Sequence, residues 1–356
     1  MRDSSTSERD ASVRRASRRG FLAATGAAAT VSLAGCAGNG ASEDETLTIQ
    51  ANSPAAEGSV HGDAAAWLGE VVEEETGGEI EIEAFRNSEL GGQIESIENV
   101  SAGGLDMYVI PYALTGTQYP PAQVFDAPYM YDPDRPYEDI YEATDPTASE
   151  EVQEVIENLA SETNIRSIGS VVQGTRRVTV TGDPAFNPEE LGEKLLRAVP
   201  IGIYEETTVG LGAQTTEIDF SEVPQALATG SIDGQENPYN IIVSSGIHEN
   251  TDYVLETDHM HTPLAIILNE DLWQSFDEET QQIFYDAVDE IQPRATDLIE
   301  DNIEGHREAV RNEGGEIISP DELDMEAFRT QVRAHIRDQF PEFIDTIEAI
   351  HGGEYR

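Results

Sequence analysis

The chain has one cysteine and one lysine, and each shortage excludes something. With Cys36 alone, no disulfide can form within the chain. Lys194 is the single lysine, and the basic residues total 20 against 70 acidic ones. Nucleic-acid binding needs clustered Lys and Arg against phosphate, and this balance excludes it. The apolar run from Phe21 to Ala34 falls short of the ~20 residues that span a bilayer. No G-x-S-x-G segment supplies a nucleophile elbow, and no H-E-x-x-H supplies a zinc-protease helix. His259 and His261 stand two apart, where a strand puts both on one face; with no third ligand nearby they read as packing residues, not as a zinc site. Neither a metal nor a cofactor is expected.

What the chain has in excess is negative charge. Its formal net charge is −50. Six arginines precede Cys36, so the body is more acidic still. Such self-repulsion opposes folding at low salt. At about 1 M salt the Debye length falls to ~3 Å and the repulsion is screened. The composition resembles that of haloarchaeal proteins. The acids are spread between amphipathic segments, which argues against a disordered tail.

The first 45 residues read as an address and a tether. Ser17-Arg-Arg-Gly-Phe-Leu22 is a twin-arginine motif ahead of the alanine-rich apolar run. Leu33-Ala-Gly-Cys36 resembles a lipoprotein cleavage box, with Cys36 as the lipid anchor. The signal is assigned to 1–35 and a flexible linker to 36–45.

From Thr46 the pattern alternates strand and helix. Strands are expected at 46–51, 79–84 and 105–110, with helices at 64–72 and 93–102 between them, a β-α-β-α-β order that argues for a mostly parallel sheet. A proline-rich connection, 120–136, leads to a helix at 149–162. Further strands are expected at 165–172, 177–181, 195–199, 253–256, 264–268 and 316–319. Helices are expected at 203–211 and 221–228, with a stripe of Ile283, Phe284, Ala287, Val288 and Ile291 that Pro293 kinks or breaks. A last helix covers 322–350. The fold class is α/β.

Chemistry concentrates between Arg197 and Pro238. Arg197 ends the apolar run 195–199. An arginine on a buried strand needs an anion, and a planar guanidinium suits a carboxylate best. Gly230 ends a helix, Asp233-Gly234 reads as a turn, and Asn237 is held extended by the following proline. Arg176 and Arg177 are strand neighbours, so only one can reach a given face.

These residues, with Gly77-Gly78, Asn87-Ser-Glu-Leu-Gly-Gly92, Gly103-Gly-Leu-Asp-Met107 and Asn269-Glu-Asp-Leu-Trp273, resemble the solute-binding subunits of TRAP (tripartite ATP-independent periplasmic) transporters, of DctP type, from about Thr46 onward. The resemblance implies a type II periplasmic-binding-protein fold, two α/β lobes around a ligand cleft with a helical C-terminal third. Lobe I is expected at 46–173 plus about 263–302, and lobe II at 174–262 plus about 303–356. It implies that Arg197 and Arg176 contact a ligand carboxylate and that Asn237 supplies an amide contact to the ligand. It further implies that Phe220 packs on the ligand and that Asn52, Gln93 and Tyr112 contact it from the first lobe. The implied partners are a small organic acid, TRAP membrane subunits, and the membrane through Cys36, at the outer face of the cell. The alternatives are an anchored extracytoplasmic enzyme acting on a carboxylate, or a sensory subunit.

Overall fold

The computed structural model describes residues 46–355. The twin-arginine motif, the Cys36 box and the linker lie outside them.

Nine strands form one mixed sheet among the described residues. They are β1 (Leu47–Asn52), β2 (Ile80–Phe85), β3 (Met107–Pro111), β4 (Ile165–Val180), β5 (Leu195–Ala198), β6 (Gln214–Glu217), β7 (Gly234–Pro238), β8 (Tyr253–Asn269) and β9 (Glu316–Ile318). The order is β2-β1-β3-β8-β4-β7-β5-β6, with β9 on β8. The expected parallel core is present at each end: β1 pairs with β2 and β3, and β5 with β6 and β7. The middle differs from expectation. The β3–β8, β4–β8 and β4–β7 pairs are antiparallel.

The two central strands are the main departure from the sequence reading. Residues 165–172 and 177–181 belong to one 16-residue strand, and 253–256 and 264–268 to one 17-residue strand. Nearly all of these residues, including those between the expected strands, are buried in the sheet. The gaps between the expected strands are bulges instead. Val172 faces Pro263 and Gly174 faces Thr262, so Gln173 is an extra residue on β4. Arg176 faces Met260 and Val178 faces Leu255, so the excess there lies on β8. Within it Asp258 takes a φ of 41°. Such irregularities let one strand serve two differently twisted sheet regions.

Gly234, read as the second residue of a turn, instead begins a buried strand, 234–238, in which Asn237 is extended as expected. Gly234 is required there for space: a Cβ would sit 2.1 Å from the Thr179 carbonyl oxygen. The helix 322–350 is two helices, Met325–Gln339 and Pro341–His351, because Pro341 cannot continue the first. Pro293, in contrast, sits inside an unbroken helix, Glu278–Asn312. That helix packs on helix Val60–Glu75, on β4 and on helix Tyr239–Ser244, so it touches both ends of the sheet. Arg294 on it lies over the Trp67 ring, 4.5 Å from guanidinium carbon to centroid. Helix Pro136–Thr144, between the proline-rich connection and the helix expected at 149–162, was not anticipated. Among the described residues no helix is long and apolar enough to cross a membrane.

Candidate functional site

Elements from both ends of the sheet converge on one small cavity, about 440 Å³ of empty space counted out to its mouth. One wall comes from the β1–β3 end: Pro54, Ala55, His61, Gln93, Pro111 and Leu114. The other comes from β5, β7 and the helices beside them: Arg197, Val199, Tyr204, Phe220, Asn237 and Ile241. The bulged segment of β4 lies between them and contributes Gln173 and Arg176.

Of the residues singled out from the sequence, Arg197, Arg176, Asn237, Phe220 and Gln93 are brought together here. Asn52 and Tyr112 are not. Asn52 ends β1 fully buried, and its amide nitrogen donates to Ser96 Oγ at 2.9 Å and to the Gly91 carbonyl at 3.2 Å. The Tyr112 ring is buried against Phe125, 4.3 Å between centroids. Both positions lie at the β1–β3 end of the sheet, with side chains turned into the packing behind the cavity.

The two arginines are in different chemical states. Arg176 is 2% exposed and paired. Its Nε donates to Glu236 Oε2 at 2.5 Å and its Nη2 to Oε1 at 2.8 Å and to the Glu236 carbonyl at 2.7 Å. Its guanidinium also lies 4.8 Å from the Tyr204 ring centroid. Burial alone would raise the Glu236 carboxyl. The Arg176 charge and the hydrogen bonds from His259 and Arg176 overcome that and hold it at about 2. The resemblance implied Arg176 as a ligand contact; it is a buried ion pair that also lines the cavity. Arg177 takes the other face, as strand alternation requires, and lines a separate cavity with Tyr239 and His306.

Arg197 is equally buried, 2% exposed, but no carboxylate of the described residues pairs with it. Its Nε donates to the Ile218 carbonyl at 2.9 Å, which fixes the plane of the guanidinium. Phe220 lies 5.9 Å from its centre. Burial lowers its pKa to about 10, so it remains charged at neutral pH. Arg176 and Glu236 pair with each other, so Arg197 is the positive charge on this wall without an ion-pair partner among the described residues, with Glu236 and Asp219 acting on it only at longer range. Buried charge is tolerated when it meets an opposite charge, and a carboxylate matches the free edge of this guanidinium.

Behind this wall, Asp126 accepts from Tyr204 Oη at 2.7 Å and from the Ala113 amide at 2.6 Å. Burial raises its carboxyl to about 7. Asn237 is oriented by a hydrogen bond to Gln235 Oε1, 2.5 Å. His61, Gln173 and Tyr204 escaped the sequence reading. Gln173 was hidden because a bulge cannot be read from alternation, and His61 because it lies on a helix whose other residues read as core. His259 and His261 are both buried on β8, hydrogen-bonded to Glu236 and to Thr175 Oγ1 at 2.9 Å. No group of three metal-ligating side chains occurs among the described residues.

The chain matches known proteins over most of its length. Residues 51–342 match the family model described as bacterial extracellular solute-binding protein, family 7, DctP. A solute-binding protein of Roseobacter denitrificans, RD1_1052, is 27% identical over 92% of this chain and 98% of its own length. The ectoine-binding periplasmic protein TeaA of Halomonas elongata is 30% identical over 58% of this chain and 60% of its own. Among solved structures, RD1_1052 with bound L-galactonate superposes with a TM-score of 0.75 over 85% of this chain and 99% of that one, at 23% identity. A TRAP periplasmic solute-binding protein from Polaromonas with D-erythronate gives 0.77 over 87% and 99%, at 22%. The fold is therefore the α/β fold of the TRAP periplasmic solute-binding proteins, two lobes around a cleft. With its matched span covering all of the cavity-lining segments, the chain belongs to family 7 of the extracellular solute-binding proteins, the DctP family, whose members bind solutes and are not enzymes.

Proposed function

We propose that the protein captures a small organic carboxylate outside the cell and delivers it to TRAP membrane subunits. The observation that carries this reading is Arg197: a buried guanidinium, held in plane by a backbone carbonyl, unpaired by any described carboxylate, on the wall of a cavity between the two ends of the sheet. Relatives with bound L-galactonate and D-erythronate, both carboxylates, support it. Arg197 takes the carboxylate, Phe220 and Asn237 flank it, and Gln93 faces it from the first lobe. Arg176 shapes the wall as half of an ion pair.

The lobe division at 173/174 and 262/263 fits the sheet. Val172 faces Pro263 and Gly174 faces Thr262, so both boundaries fall at one bulge. Gly174 has a φ of 119°, a conformation open to glycine. Closure about this point brings the walls together on the ligand. The twin-arginine motif and the Cys36 box support export as a folded lipoprotein held at the outer face of the membrane. The −50 charge supports folding in a high-salt setting such as that of haloarchaea.

The test is a thermal-shift screen of organic acids in high salt. A ligand at 100 times its Kd stabilises by about 2.7 kcal/mol. Stabilisation by acids and not by their amides or esters is expected. A response to none of them, or equally to the neutral derivatives, overturns the reading.

A further inference from the structure

The wall opposite Arg197 holds a second constraint, set by a short chain of hydrogen bonds whose direction is forced. His61 Nε2 lies 3.0 Å from the Val109 carbonyl oxygen. A carbonyl can only accept, so Nε2 carries the proton. Burial lowers the pKa of His61 to about 4, so the ring is neutral at neutral pH and Nδ1 is a bare acceptor. The Gln173 side-chain amide lies 3.1 Å from that Nδ1. Only its NH2 group can face an acceptor, so its oxygen is turned the other way. Flipping the amide would set two acceptors against each other. Gln173 Oε1 is buried, in a residue 3% exposed, and has no partner among the described residues. Gln173 is also the extra residue of the β4 bulge. Bulges re-aim a side chain, and this one turns Gln173 into the cavity lining.

We propose that Gln173 is a specificity-determining acceptor, fixed by His61, and that the ligand is a small hydroxy-monocarboxylate whose hydroxyl donates to Gln173 Oε1 while its carboxylate pairs with Arg197. The proposal rests on the carboxylate-capture reading above and adds the charge and the second functional group. A single carboxylate is specified because Arg197 is the one cavity-lining cation not already matched by a described acid; Arg176 is neutralised by Glu236. A hydroxyl donor is specified over an ammonium because none of the lining residues is Asp or Glu. A second carboxylate would set its oxygens against the Gln173 oxygen, and an alkyl chain would leave that buried acceptor unmet.

The experiment is calorimetry on the unmutated protein in high salt, with acids matched for chain length. At each length from four to six carbons the probes are the straight-chain acid, its ω-hydroxy acid, its ω-amino acid and the dicarboxylate, with the polyhydroxy aldonate as a fifth form. An unmet buried acceptor costs enough to weaken binding about 10- to 100-fold, so at the best length a hydroxy acid or aldonate should bind at least that much more tightly than the other three. Gln173→Met keeps the volume and removes the acceptor. It should abolish the hydroxyl preference, so that the hydroxylated and straight-chain acids of one length bind the variant with equal affinity, with melting curves as the folding control. Equal affinity for hydroxylated and plain acids, or tightest binding of the dicarboxylate or amino acid, overturns this inference while leaving carboxylate capture standing. Binding of none of the acids overturns carboxylate capture itself.

Discussion

The Arg176–Glu236 pair gives the most demanding test of the site's electrostatics. Both side chains are 2% exposed and joined by two side-chain hydrogen bonds of 2.5 and 2.8 Å. Arg176→Met leaves the Glu236 carboxylate buried without its main counter-charge. Glu236→Met leaves the Arg176 guanidinium in the same state, and also strips His259 Nε2 of its partner at 3.1 Å. Removing one member of a buried pair costs about 3–5 kcal/mol, whereas replacing both by apolar side chains of similar volume is often neutral or stabilising. Each single variant should therefore lose roughly 3–5 kcal/mol, with Glu236→Met the worse by about 1–3 kcal/mol for the orphaned imidazole. The double variant should be more stable than Glu236→Met alone, a coupling well outside the ~0.5 kcal/mol within which independent sites add. The assay is urea unfolding in high salt, without ligand, followed by circular dichroism. Additive losses in the double variant would show that the two residues do not compensate each other. Arg176 would then be a free cation, and the count of one unmatched charge in the cavity would be wrong.

Three further outcomes follow from the same residues. Burial lowers the pKa of His61 to about 4 and of His261 to about 3. Both therefore contribute stability above pH ~6.5, lost as pH falls towards those values at up to ~1.4 kcal/mol per pH unit each. Asp126, raised to about 7, works in the opposite sense, losing its contribution as pH rises towards 7, so NMR is the direct readout. Both imidazoles should hold constant shifts from pH 8 to 5, and a midpoint near 6.5 for either would contradict its burial. The −50 charge predicts loss of the native circular-dichroism signal below roughly 0.5 M salt, where screening weakens, and cooperative stability in ~50 mM NaCl would remove the high-salt reading. Cys36→Ser should release the protein from membranes or leave it uncleaved, and a mature Cys36→Ser protein still wholly in the membrane fraction would rule out the lipid anchor.

Local elements were legible where one physical rule decided them. Helix Gln93–Ala102 and strand β5 follow from periodicity, and Arg197 stood out because a charge on an apolar strand needs a partner. The division of labour between Arg176 and Arg177 follows from strand alternation. What failed depended on residues distant in sequence. Glu236 neutralises Arg176 across 60 positions, and nothing near either one signals it. The long strands β4 and β8 read as four because bulges place polar residues inside a sheet, and a bulge is visible only against its partner strand. Gln173 and His61 were missed for a related reason: their meaning lies in a hydrogen bond spanning 112 residues. Asn52 and Tyr112 have the right place in the chain, but their side chains turn the wrong way for the cavity.

The central claim is that Arg197 holds the carboxylate. Its guanidinium is buried, aligned by Ile218 and free of any described acid. A bidentate pair is directional, so lysine should not replace it. Losing one partner of such a pair costs about 3–5 kcal/mol, roughly a 10²- to 10³-fold or greater loss of affinity. The deciding measurement is calorimetry of Arg197→Lys and Arg197→Ala with the tightest acid from the screen, in high salt, with melting curves confirming the fold. Both variants should remain folded and lose micromolar binding, whereas near-native affinity in a folded Arg197→Ala protein would contradict the carboxylate clamp.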